Sequence, residues 1–125
     1  MKKFLSAMML VLCAATIALA ASVKPLSPPE ARTLIDRTPN LFILDVRTPD
    51  EFRQARIKKS VLIPDYELEK RVSEVPKNRP VLVVCAVGAR SQPAADFLAR
   101  RGYQPVYHLN NGLVGWYRAG FPVEK

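Results

Sequence analysis

The residues best equipped for chemistry form one short run, Cys85-Ala-Val-Gly-Ala-Arg90-Ser91, directly after the apolar stretch Pro80-Val-Leu-Val-Val84. The stretch before Cys85 reads as a buried strand, and Ser91 to Arg101 reads as a helix with Ala94, Ala95 and Leu98 on one face and Gly102 as its left-handed stop. Cys85 therefore stands at a strand end, in a loop that opens a helix. Unpaired backbone N–H groups converge where such a loop meets a helix, and the helix dipole adds positive charge. A cysteine facing that cradle is held as thiolate, its nucleophilic form. Gly88 lets the backbone curl, short Ala86 and Ala89 leave room for a substrate, and Arg90 brings a fork of donors suited to an oxyanion. Together these are the parts of an activated nucleophile for an anionic substrate. The bland alternative is that Cys85 ends a buried strand and Gly88 makes a turn.

The rest of the chain must position that loop. It has 125 residues, and 49% hydrophobic residues exclude a disordered tail protein. Its two cysteines are too few for a disulfide scaffold, and no Cys/His cluster has zinc spacing. Lys2 and Lys3 precede an uncharged run from Phe4 to Ala21 that ends Ala18-Leu19-Ala20-Ala21. A basic start, an apolar centre and a small-x-small ending predict a signal peptide over residues 1–21, with a retained membrane anchor as the competing reading. Leu12 before Cys13 argues against lipid attachment there. Cleavage leaves ~105 residues, one domain able to fold without staples. It also lowers the net charge from +8 to +6 by removing two lysines, and leaves Cys85 as the one cysteine. A lone cysteine in an exported domain is a buried hydrophobe, an intermolecular bridge or a working thiol.

Residues 22–26 read as a linker. Ser27-Pro-Pro-Glu30 and Thr48-Pro-Asp-Glu51 each carry a capping box with proline at the first helical position, so each opens a helix. Leu41 to Val46, Val61 to Ile63 and Pro105 to Leu109 read as strands, Tyr66 to Val72 as a helix, and Leu113 to Ala119 as a last helix after the turn Asn110-Asn-Gly112. Strands alternate with helices, and the two most apolar strands are continuous rather than alternating. That pattern predicts an α/β sandwich with a parallel sheet covered on both faces, and ligands in such sheets bind beyond the carboxyl ends of the strands.

Three segments resemble the single-domain rhodaneses, the thiosulfate:acceptor sulfurtransferase family: Leu44-Asp-Val-Arg-Thr-Pro-Asp-Glu-Phe52, Val81-Leu-Val-Val-Cys-Ala-Val-Gly-Ala-Arg-Ser91 and Asn111-Gly-Leu-Val-Gly-Trp-Tyr117. The resemblance implies a rhodanese-like three-layer sandwich over residues 22–125, with a five-stranded, mostly parallel sheet flanked by helices. It implies that Cys85 cycles between thiolate and persulfide, taking sulfur from thiosulfate and giving it to cyanide or a thiol, with no metal or organic cofactor. Backbone N–H groups of residues 86 to 90 (Ala86, Val87, Gly88, Ala89 and Arg90) are then expected to stabilise both sulfur states. Arg90 matches the family's loop arginine, expected in the substrate-binding loop, with bracing of the loop as the bland alternative, and Asp45 and Arg47 match a structural segment, with Asp45 braced against the active-site region. A signal peptide on one such domain is similar to the small periplasmic rhodaneses of bacteria.

Loop length separates this reading from the related cysteine phosphatases, which place five residues between Cys and Arg where this chain has the four from Ala86 to Ala89. The chain departs from the family where Ala55-Arg56-Ile57-Lys58-Lys59-Ser60 replaces a Gly-His-Ile pattern, and where Ala86 stands in place of an arginine that many active members carry. Lys58 and Lys59 read as a solvated turn, or as cations that steer an anionic donor or an acidic partner. His108 reads as structural, and Trp116 and Tyr117 as packing for the last helix. The positive charge is spread without aromatic interleaving, so no nucleic acid is expected, and the expected partners are a small anionic sulfur donor and a thiol or protein acceptor. A membrane enters only through an uncleaved signal peptide. The rival readings are a sulfur carrier that turns over poorly and a thiol-redox protein using Cys85.

Overall fold

The computed structural model describes residues 22–125; the expected signal peptide and Cys13 lie outside the described residues. Five strands, β1 (Val23–Leu26), β2 (Phe42–Asp45), β3 (Val61–Leu62), β4 (Val81–Val84) and β5 (Val106–Leu109), form one sheet in the order β1-β5-β4-β2-β3. Every neighbouring pair is parallel. Around it lie α1 (Pro28–Arg37), α2 (Pro49–Gln54), α3 (Asp65–Arg71) with a 3-10 turn at Val72–Glu74, α4 (Ser91–Arg100) and α5 (Gly112–Arg118).

The sheet is buried on both sides, which is why β2 and β4 show no solvent face: every residue of both is buried. Alternate side chains serve two cores. Leu44, Val81, Val83 and Cys85 pack with Leu68, Ala94 and Leu98 beneath α3 and α4. Ile43, Leu82 and Val84 pack with Ala31, Leu113 and Trp116 beneath α1 and α5. Because successive strand residues face opposite sides, Cys85 belongs to the α4 side. Both capping boxes form as the sequence predicts, Ser27 with Glu30 and Thr48 with Glu51.

Residues 22–26, expected as a linker, are instead an edge strand: Val23 to Leu26 pair in register with Val106 to Leu109. Lys24 and Pro25 hid it. Both suit an edge, where one side of the strand has no partner and a missing N–H costs nothing. The last helix starts at Gly112 rather than after it. Trp116 is buried and donates its indole N–H to the carbonyl of Pro122 at 2.9 Å. Its neighbour Tyr117, also expected to pack the helix, is 66% exposed.

From β2 the chain crosses to β3 on one side, and from β4 to β5 on the other. The two central strands thus form the point where the winding reverses, and their carboxyl ends splay their connections apart to leave a crevice. Asp45 ends β2 there, with Arg47 and Glu51 following it, and Cys85 to Arg90 follow β4.

Candidate active site

Cys85 is fully buried, with its sulfur inside the curl of its own loop. Two backbone N–H groups donate to Sγ, from Gly88 at 3.1 Å and from Ser91 at 3.2 Å. Of the five residues expected to supply such donors, Gly88 does so, and the second donor is Ser91, one residue beyond them. Helix geometry explains it: Ser91 is the first residue of α4, and its N–H is one of the groups a helix leaves unpaired. Gly88 closes the curl with φ +96°, a conformation that side-chain-bearing residues rarely adopt, and a Cβ there would only touch the backbone of Asn111 at 3.4 Å. Two N–H dipoles and a helix N-terminus aimed at one sulfur suit a negatively charged atom. Among the other loop residues, Val87 and Ala89 face solvent and Ala86 is half-buried.

Arg90 turns away from the loop interior. Its Nη1 and Nη2 donate to Oε1 and Oε2 of Glu51 at 2.8 and 2.9 Å, so the fork that the sequence offered to an oxyanion is filled by a carboxylate of α2. Those hydrogen bonds, first among the causes, hold the Glu51 carboxyl at about 2, well below its ordinary 4.5. Arg90 is correspondingly held above its ordinary value, first by Glu51 and then, more weakly, by attraction to Cys85 and Asp65. Its side chain braces the loop across the crevice, and its charge still reaches the sulfur.

Asp45 and Arg47 set the position of Glu51. They form a buried bidentate pair, with Arg47 Nε at 2.9 Å from Oδ1 and Nη2 at 2.7 Å from Oδ2. Arg47 then donates to the carbonyls of Ala55 at 2.6 Å and Glu51 at 3.4 Å, capping the end of α2 with a cation. The order of support runs from β2 through Asp45, Arg47 and α2 to Glu51, then through Arg90 to the loop. Both carboxylate oxygens of Asp45 have partners, so the pair leaves no buried charge uncompensated.

Two contributors, Glu51 and Gly112, escaped the sequence reading, and a third, His108, has the structural role expected of it, with partners the sequence did not name. Glu51 was read only as a capping-box residue, and it is that and the partner of Arg90 together. His108, on β5, lies with Nδ1 3.2 Å from Ser91 Oγ, and the same hydroxyl donates to the Gly88 carbonyl at 3.2 Å. Burial lowers the His108 pKa, so the ring stands neutral beneath the loop at neutral pH. It touches Ser91, not Cys85, and so acts as a support. Gly112 is the second that escaped. The start of α5 presses against the loop, with the N–H groups of Leu113 and Val114 donating to the carbonyls of Cys85 and Ala86 at 2.8 and 3.0 Å. A Cβ on Gly112 would lie 2.4 Å from the Ala86 carbonyl, which no side chain permits. The Asn-Gly dipeptide in the sequence was the available signal, read as a turn and not as a close approach.

Lys58 and Lys59 lie in the turn before β3, and Lys59 takes φ +68°. They do not join the site at the end of β4.

A family model described as the Rhodanese-like domain matches residues 27–119. A sulfurtransferase of Allochromatium vinosum is 37% identical over 86 residues, covering 69% of this chain and 80% of that protein. A thiosulfate sulfurtransferase of Vibrio cholerae is 32% identical, covering 66% of this chain and 77% of that one. The crystal structure of a rhodanese-related protein from Thermoplasma volcanium superposes with a TM-score of 0.75 at 28% identity, covering 81% of this chain and 97% of that one. With its parallel α/β sandwich and a cysteine held at the carboxyl end of the central strand, the chain belongs to the rhodanese-like domain family and has the make-up of a sulfurtransferase.

Proposed function

We propose that the protein moves sulfane sulfur from thiosulfate, or from a persulfide donor, to a thiol or cyanide through a persulfide on Cys85. The observation that carries the reading is the pair of N–H groups, from Gly88 and Ser91, aimed at Sγ inside a loop of only four residues between Cys85 and Arg90. In the first half-reaction the Cys85 thiolate attacks the outer sulfur of thiosulfate. A bond forms between Sγ and that sulfur, and the sulfur–sulfur bond of thiosulfate breaks with its electron pair on the departing sulfite. In the second, cyanide or a thiolate attacks the outer sulfur of the persulfide, and the electron pair of the broken bond returns to Sγ. Negative charge stays on sulfur throughout, first on Sγ and then on its outer neighbour, so the same dipoles serve both states without rearrangement. No proton acceptor is needed beside the cysteine.

The reading includes export to the periplasm with loss of residues 1–21, on the strength of the sequence of that segment, and no role for nucleic acid. Intact-mass spectrometry of the wild type and of Cys85→Ser after incubation with thiosulfate tests the chemistry. A gain of one sulfur by the wild type alone, removed by cyanide as thiocyanate, is the expected result. A wild-type protein that gains no sulfur from thiosulfate or from a persulfide donor refutes the transfer reading. Gain without discharge identifies a carrier in its place.

A further inference from the structure

The turns that lead into β2, β3, β4 and β5 lie at the amino ends of the parallel strands, the pole of the sheet opposite Cys85. Residues 38–41, 58–60, 75–80 and 101–105 contain no Asp or Glu. They carry instead Lys58, Lys59, Lys77, Arg79 and Arg101, none of which forms an ion pair among the described residues. All but the half-buried Arg79 are exposed. Arg37 and Arg100 end α1 and α4 at the same pole, where a cation answers the negative end of the helix dipole. The other five have no such reason to gather there. Three of them are held in place on aromatic faces: Lys77 lies 5.3 Å from the ring centre of Tyr103, Arg79 5.3 Å from that of Phe42 and Arg101 4.8 Å from that of Phe97. An aromatic face attracts a cation without neutralising it. Lys77 and Arg79 also donate to the carbonyls of Arg101 and Asn40 at 3.0 and 2.7 Å, which ties neighbouring turns together. The nearest carboxylates along the chain, Asp36 and Glu74, are taken by Arg32 and Arg71. The pole is therefore a fixed, uncompensated band of positive charge.

Residues 1–21 join the domain at this same pole. Val23 pairs with Val106, the first residue of β5, so β1 begins level with the amino end of its neighbour. Only Ser22 separates it from the uncharged run Phe4 to Ala21. Cys85 stands four residues beyond Val81, ~13 Å along the strand direction.

We propose that the amino pole of the sheet is a docking face for anionic phospholipid headgroups, which seats the domain on a bilayer surface with the Cys85 loop turned to the water. The inference does not depend on sulfur transfer. The sequence admitted a membrane only through residues 1–21, and the placement of the cations adds a contact that outlasts their removal. An acidic protein would answer the charge alone; the apolar run joined at the same pole is what favours a bilayer. Each Lys or Arg close to an anionic bilayer strengthens binding about five-fold, and the attraction fades within a Debye length, ~10 Å at 0.1 M salt. The length of β4 places the opposite pole beyond that range.

Residues 22–125 hold the whole sheet and both cores, and the test uses them alone so that the apolar run cannot carry the binding. They are sedimented with vesicles of phosphatidylcholine, pure or with about 30% phosphatidylglycerol. Binding to the anionic vesicles alone at ~0.05 M salt, lost at ~0.5 M, is expected. Lys58→Gln with Lys59→Gln, and separately Lys77→Gln with Arg101→Gln, should each weaken it about 25-fold, two factors of five. Arg53→Glu lowers the net charge by the same two units on α2, beyond the carboxyl end of β2, and should weaken binding about two-fold at most. Equal losses in all three show a response to net charge and overturn the proposal, as does the absence of binding to the anionic vesicles. On the vesicles, amide hydrogen exchange should slow in residues 38–41, 58–60, 75–80 and 101–105 and stay unchanged in residues 86–90. Protection centred on the Cys85 loop overturns the orientation and the proposal with it. Soluble polyglutamate bound while the vesicles are left free identifies an acidic protein as the partner, which also overturns it. Sulfur loading from thiosulfate should be unchanged in both double variants, so a chain that never loads refutes the transfer reading and leaves the docking face standing.

Discussion

Replacing Gly112 with alanine tests whether the start of α5 holds the Cys85 loop in place. The new Cβ would lie 2.4 Å from the carbonyl carbon and oxygen of Ala86 and 2.5 Å from the oxygen of Cys85, against 3.4–4 Å for an ordinary contact. About 1 Å of backbone movement is therefore forced, and the atoms in the way belong to the Cys85 loop itself. The cost has three parts. Left-handed φ, +57° here, costs a non-glycine residue about 1 kcal/mol. Overpacking against backbone adds about 1–3 kcal/mol. Stretching the hydrogen bonds from Leu113 and Val114, now 2.8 and 3.0 Å, forfeits about another 1 kcal/mol. Gly102→Ala is the control: its φ is +89°, and nothing lies within 4 Å of the added Cβ, so it carries the first cost alone. Urea unfolding should show Gly112→Ala less stable by about 3–5 kcal/mol and Gly102→Ala by about 1 kcal/mol. In the fraction that remains folded, persulfide formation read by intact mass should fall about 100-fold in Gly112→Ala, because a 1 Å misplacement of reacting groups costs that much. Gly102→Ala should load sulfur at the wild-type rate. If the two variants lose equal stability and load sulfur equally, α5 does not position the loop and the reasoning fails.

Glu51→Gln should make stability less dependent on acid. The folded-state pKa of about 2 lies below the ordinary 4.5, so the stabilisation is whole above pH 4.5 and is lost as pH falls towards 2. Such a drop would be worth ~3 kcal/mol for a buried carboxylate. One-third exposure of both side chains reduces it to about 1–2 kcal/mol. Urea midpoints of the wild type and variant should converge between pH 4.5 and 2, and parallel curves would contradict the pairing. Asp45→Asn should destabilise by about 3–5 kcal/mol by leaving Arg47 buried beside a neutral amide. Thermal unfolding measures it, and a loss under 1 kcal/mol would mean that Arg47 finds water instead.

The fold was largely legible because its signals are local. Continuous apolar runs marked β2 and β4, and the boxes at Ser27 and Thr48 marked helix starts to the residue. β1 was not legible, since Val-Lys-Pro-Leu carries no pattern of its own and becomes a strand only because β5 offers it an edge. Tyr117 adjoins Trp116 in the sequence, yet neighbours on a helix point about 100° apart, so one is buried and the other faces water.

At the site, the sequence by itself determined where the candidate nucleophile stands: a cysteine ending an apolar strand, a glycine to curl the loop and a helix beginning at Ser91. Those are matters of neighbours along the chain, governed by strand ends, turns and helix termini. Only the tertiary structure decided what surrounds that cysteine. Arg90 meets Glu51 across 39 positions, His108 sits beneath Ser91 across 17, and Gly112 abuts Ala86 from another helix. The physical reason is that a guanidinium fork or a glycine can satisfy any suitable partner brought within reach, and reach is set by how the sheet reverses its winding between β2 and β4.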